Sequence, residues 1–124
     1  MRFDAKKDAE SSLRFAYKKE KNTLIVSLSG SMDSLTAPEF TLAIDEKLSD
    51  GEDSFIVNLN DLEHLSSAGL RNILLVLKKI VSLGKKMFFV SSNEDVNRIF
   101  KTAGVYNSLL KVYESEDVVF NLPQ

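Results

Sequence analysis

Residues 58–84 read NLNDLEHLSSAGLRNILLVLKKIVSLG, and the change of apolar period inside this stretch decides the fold. Just before it, Ser54-Phe55-Ile56-Val57-Asn58-Leu59 is short, apolar and β-branched at its centre, the pattern of a buried strand. Asn60-Asp61 reads as a polar turn, and Glu63-His64-Leu65 as a loop. From Leu70 the spacing becomes helical: Leu70, Ile73, Leu74, Leu77, Ile80 and Val81 share one face. Gly84 closes the run as a C-terminal cap, and Lys78 and Lys79 sit late in the helix, where cations complement its dipole. Ser66-Ser67-Ala68-Gly69 therefore opens a helix that leaves the end of a strand, and function is expected at that junction.

The bulk properties narrow the possibilities. A chain of 124 residues is one domain with one core. With 44% hydrophobic and 27% charged residues it has an ordinary globular composition. A net charge of −2 without a dense basic run gives no electrostatic footprint for nucleic acid. The absence of cysteine excludes disulfides, thiolate metal sites and cysteine nucleophiles, and the single histidine, His64, cannot build a multi-histidine metal site. No metal or cofactor is expected. No stretch approaches the ~20 apolar residues that span a bilayer, and residues 1–12 are too polar for a secretory signal. A cytoplasmic protein without membrane insertion is expected.

Working outward, residues 1–12 read as a polar N-terminal tail and 13–124 as the folded domain. Leu13, Phe15 and Tyr17 share one face of a first strand, Lys19 to Asn22 turn, and Thr23–Leu28 form a second, β-branched strand ended by Ser29-Gly30-Ser31. A helix starts near Thr36, with Pro38 in its first turn and a capping box between Thr36 and Glu39. Phe40, Leu42, Ala43, Ile44 and Leu48 are its expected buried side. Downstream lie a strand at Lys86–Val90, a helix from Asn93 to Ala103 stopped by Gly104, an edge strand at Leu109–Tyr113 and a short amphipathic segment over 114–122. The order β-β-α-β-α-β-α-β-α implies an α/β domain: a mixed, mostly parallel sheet packed by about four helices. Sites in such sheets form where strands end and helices begin. Two such junctions carry hydroxyls, Ser31 to Thr36 and Ser66-Ser67, and on one edge they would make a single surface.

This pattern resembles the anti-sigma-factor antagonist (STAS) family over nearly the whole chain after the tail. Leu65-Ser66-Ser67-Ala68-Gly69-Leu70 fits the family's signature at the start of a helix, and Gly30-Ser31-Met32-Asp33 followed by Thr36-Ala37 looks like its first strand-helix junction. The resemblance implies a non-enzymatic partner-switching protein. It would bind an anti-sigma factor that is also a serine-protein kinase, be phosphorylated at Ser67 and released, and be restored by a phosphatase. The implied partner-binding surface comprises Asp33, Ser34, Thr36, Ser66, Ser67, Ala68 and Gly69. The chain departs from the family pattern at Ser66 and Asn58, where aspartate is usual, and both changes take negative charge from around Ser67.

Residue chemistry leaves alternatives beside these roles. Ser67 is either a phosphoacceptor or simply part of a helix cap; Ser66 reads as the cap that replaces aspartate, with phosphoacceptor as its other reading. Asp33 either orients the acceptor loop or closes a turn on its own backbone. His64 lies three residues before Ser67, but no nucleophile elbow and no orienting acid supports a hydrolase. Lys78, Lys79, Lys85 and Lys86 read as a solvated face, and no glycine-rich phosphate loop is present. The alternative function keeps the fold: an accessory subunit of a lipid or ABC transporter complex, docking on an ATPase without phospho-control.

Overall fold

The computed structural model of the chain describes residues 12–123. The tail reading of residues 1–12 thus falls almost entirely outside the described residues. Strand β1 (Leu13–Glu20) and strand β2 (Thr23–Met32) form an antiparallel hairpin. Its two-residue turn, Lys21-Asn22, has positive φ at both positions (50° and 64°), the twist that suits a tight hairpin. Helix α1 (Ala37–Ser49), strand β3 (Ser54–Leu65), helix α2 (Ser67–Ser82), strand β4 (Lys86–Val90), helix α3 (Glu94–Thr102), strand β5 (Val112–Tyr113) and helix α4 (Glu116–Phe120) follow. The sheet order is β1-β2-β3-β4-β5, with every pair after the first parallel. The expected α/β architecture and element order are those observed.

The strands have two apolar faces of unequal extent. Val26, Leu28, Phe55, Val57 and Phe89 pack against Phe40 and Ile44 of α1, Ile73 and Ile80 of α2 and Phe100 of α3, forming the main core. The alternate residues Ile25, Ile56 and Val90 meet Val119 of α4 on the opposite face. Helix α1 buries Ala37, Phe40 and Ile44, one stripe at helical spacing. Leu42, expected inside, is two residues from both Phe40 and Ile44, which turns it about 200° around the helix from each, and it is 67% exposed. Val81, likewise expected inside, is exposed, and Val76 takes its place in the buried stripe of α2. At the end of α2, Gly84 takes φ 74°; its amide donates to Val81 and that of Lys85 to Ile80, closing the last turn as expected.

The largest correction concerns β3. Asn60-Asp61 and Glu63-His64-Leu65 are neither turn nor loop, because the strand continues to Leu65. Ser27 pairs with Asn58 but Ser29 with Asp61, and Gly30 with Leu62 but Ser31 with His64, so β3 takes in one extra residue at each of two bulges. The bulges spread its buried residues to Leu59, Leu62 and Leu65, a spacing of three that matches neither strand alternation nor a helix. Asn58 accepts from the Asn60 amide (2.9 Å), and the Asn60 side chain accepts from the Ser92 amide (2.6 Å), so the first bulge is tied to the loop after β4. Strand β2 is drawn out with it, to Met32 instead of Leu28. The edge strand β5 is shorter than expected, two residues in place of Leu109–Tyr113, and Leu110 is buried just before it.

Leu62, 2% exposed, distinguishes a bulged core strand from a surface loop. Leu62→Ala is expected to lower the unfolding free energy by about 2–4 kcal/mol in urea denaturation. A change within about 0.5 kcal/mol would fit a loop position instead.

Candidate functional site

Both hydroxyl-bearing junctions lie at the carboxyl ends of neighbouring parallel strands. Met32 pairs with Leu65, and the Ser66 amide donates to the Met32 carbonyl at 2.9 Å. The loop from Asp33 to Thr36 and the start of α2 therefore form one surface. Gly69 is what lets them approach. A Cβ built there would lie 2.7 Å from the Met32 carbonyl oxygen and 2.9 Å from a Leu65 methyl, and the first of these is backbone that has no room to yield.

Asp33 closes its loop on itself. One carboxylate oxygen accepts from the amides of Leu35 (2.9 Å) and Thr36 (3.1 Å), an Asx turn. The Thr36 hydroxyl accepts from the Asp33 amide (2.9 Å) and donates to the Ser31 carbonyl (2.7 Å). Thr36 thus makes no side-chain cap on α1, and the expected capping box with Glu39 does not form: its hydroxyl is committed backwards to β2. The Thr36 amide, helped by the Leu35 amide, the Thr36 hydroxyl and the nearby His64, holds the Asp33 carboxyl below the usual carboxylate range.

At the second junction Ser66 is the N-cap of α2. Its backbone is extended, and its hydroxyl accepts from the Gly69 amide at 3.1 Å. Ser67, the first helical residue, is exposed. With Ser66 capping, the Ser67 hydroxyl is not needed for that role. The first turn of α2 contains no acidic residue, whereas α1 has Glu39, α3 has Glu94 and Asp95, and α4 has Glu116 and Asp117. Among the described helices only α2 leaves its positive N-terminal end without a carboxylate. Asn72 locks α2 to α1: its side-chain amide donates to the Ala37 carbonyl (2.5 Å) and the Thr41 hydroxyl (2.8 Å).

The seven residues expected to meet a partner divide in two. Asp33, Ser34, Ser66, Ser67 and Ala68 have accessible surface, whereas Thr36 and Gly69 are buried and shape the loop and the helix approach. Asn58 is a correction. It lies seven residues up β3 from Leu65, about 20 Å by strand rise, and its side chain donates to Glu116 of α4 at 2.8 Å. Its lack of charge bears on α4 and not on Ser67; an aspartate there would face the Glu116 carboxylate. Leu35, 84% exposed at the tip of the Asp33 turn, was not expected at the site. Its sequence signal is a leucine that belongs to no apolar period and directly follows Asp33-Ser34.

Comparison with known proteins places this geometry in a family. A family model described as the STAS domain matches residues 14–119, and the chain belongs to that family. Among its relatives, a putative anti-sigma factor antagonist, BtrV, from Bordetella bronchiseptica is 28% identical over 94 residues, covering 76% of this chain and 80% of that protein. The anti-sigma-B factor antagonist of Staphylococcus aureus is 26% identical over 93 residues, covering 75% and 85%. The crystal structure of an anti-sigma factor antagonist from Mycobacterium paratuberculosis superposes with a TM-score of 0.78 at 22% identity, over 89% of this chain and 92% of that one. The fold is shared.

Two measurements follow from the site. Ser66→Ala is expected to cost about 1 kcal/mol in chemical denaturation, and Ser67→Ala much less, because only Ser66 caps the helix. Asp33 ionises at lower pH in the folded chain than in the unfolded one, where its pKa is about 3.9. Its stabilisation is therefore present above about pH 4 and lost as the pH falls through the lowered folded value. Asp33→Asn should be less stable than wild type at pH 7, and the gap should close under acid; a gap that widened on acidification would reverse the assignment.

Proposed function

We propose that this protein is an anti-sigma factor antagonist that works by partner switching. The observation that carries the reading is an exposed Ser67 hydroxyl, freed from capping by Ser66, at a helix N-terminus without a carboxylate of its own. The names of its STAS relatives support it. The surface of Asp33, Ser34, Leu35 and Ser66 to Ala68 docks on an anti-sigma factor that is also a serine-protein kinase. Leu35 supplies the apolar contact and the turn around Asp33 holds it in place. The protein is the substrate of that kinase and not a catalyst.

A phosphate on Ser67 adds about −1.5 to −2 charges beside the free helix amides. The domain stays folded, since the caps, the Asn72 lock and the Met32–Ser66 bond do not involve the Ser67 hydroxyl. The partner meets new charge and bulk, and lets go. A phosphatase restores the first state.

The test is a paired pull-down from host lysate with wild-type and Ser67→Asp baits, read by mass spectrometry. Wild type should retain a kinase-type anti-sigma factor that Ser67→Asp loses. Retention of one partner by both baits would remove charge control at Ser67; an ATPase of a transport complex on both would move the protein to the transporter-subunit alternative.

A further inference from the structure

The end of the sheet opposite Ser67 holds a concave feature. A cavity of about 750 Å³ opens where β2, β3 and β4 begin, under α4 and the residues that follow it. Its volume lies within the range of small-molecule sites. Phe88, Val119, Phe120 and Leu122 give it an apolar wall. Its charged lining is Lys21, Lys85, Lys86 and Asp53. Lys85 pairs with Asp53, so the one carboxylate is already used, while the described ion pairs include neither Lys21 nor Lys86.

Lys21 is held there at a cost. It occupies the first position of the β1–β2 turn with φ 50°, a conformation that favours glycine or asparagine. Its ammonium lies 5.4 Å from the centre of the Phe120 ring. The turn thus carries a cation onto the aromatic wall, with Lys86 lining the same cavity at the start of β4. Two cations without an acidic partner, next to an apolar wall, complement a molecule with one anionic head and an apolar body.

We propose that this cavity binds an anionic amphiphile of small size, its carboxylate or equivalent acid between Lys21 and Lys86 and its hydrocarbon or aromatic body against Phe88, Phe120 and Leu122. The cavity is at the other end of the strands from Ser67, so the proposal stands apart from the partner-switching reading.

Decanoate is the probe, added to the full chain and followed by amide NMR shifts, with decanol as the uncharged control. Saturable one-to-one shifts centred on Lys21, Phe88 and Phe120 are expected. A Lys21→Gln/Lys86→Gln double variant should bind decanoate about tenfold more weakly or worse. Both side chains are exposed, and far-UV circular dichroism of the double variant checks that the fold is kept. The absence of saturable shifts, shifts centred elsewhere, equal binding of decanol, or undiminished binding by the folded double variant would each overturn the proposal.

Discussion

The parallel pairing of β2 with β3, carried through two bulges to Met32 and Leu65, is the constraint on which the rest of the structure depends. Without the two extra residues, strict alternation would put Leu62 on the opposite face from Leu59 and Leu65. The bulges keep Leu62 inside together with Leu59 and Leu65 and bring both strands to the same edge. From there the Met32 carbonyl can receive the Ser66 amide, and Gly69 can lie against it. The surface that unites Asp33 and Ser67 is a product of strand register.

Charge is distributed around that surface with some economy. Three of the described helices begin with carboxylates and one does not, and the exception is the helix that starts at Ser67. Ser66 satisfies an amide without adding charge. Asp33 keeps its carboxylate turned onto the amides of its own loop, so its charge is spent on holding the loop that presents Leu35. A local change of charge at Ser67 therefore needs no rearrangement of the core to alter this surface. Asn58 belongs to a different part of the molecule, where its neutral amide joins β3 to Glu116 across the smaller apolar face.

Much of this was readable from residues alone. The β-branched runs, the helical spacing after Leu70 and the glycine at 84 each state a local preference that the tertiary structure does not oppose. The alternation of strands and helices then leaves few topologies for a single sheet. The hydroxyls at the ends of two strands are legible as a candidate site because α/β sheets put sites there. The errors share one cause. A bulged strand has a spacing of three, which local period cannot distinguish from turn and loop; the hydrophobicity of Leu42 argues for burial while its angle on α1 turns it out; and the Thr36 hydroxyl has two possible partners, of which only the folded chain chooses Ser31.

The sequence by itself determined the class of fold, the order of elements and the position of Ser66-Ser67 at a helix start, because these follow from short-range periodicity and capping chemistry. Only the tertiary structure decided that Thr36 and Gly69 are buried supports, that the two junctions meet on one surface, and that Asn58 answers to α4. The close approach of Gly69 to β2 and the place of Asn58 depend on groups that meet across 30 or more residues of chain, as Ser66 meets Met32 and Asn58 meets Glu116. Such meetings are set by strand register and packing, and no local preference encodes them.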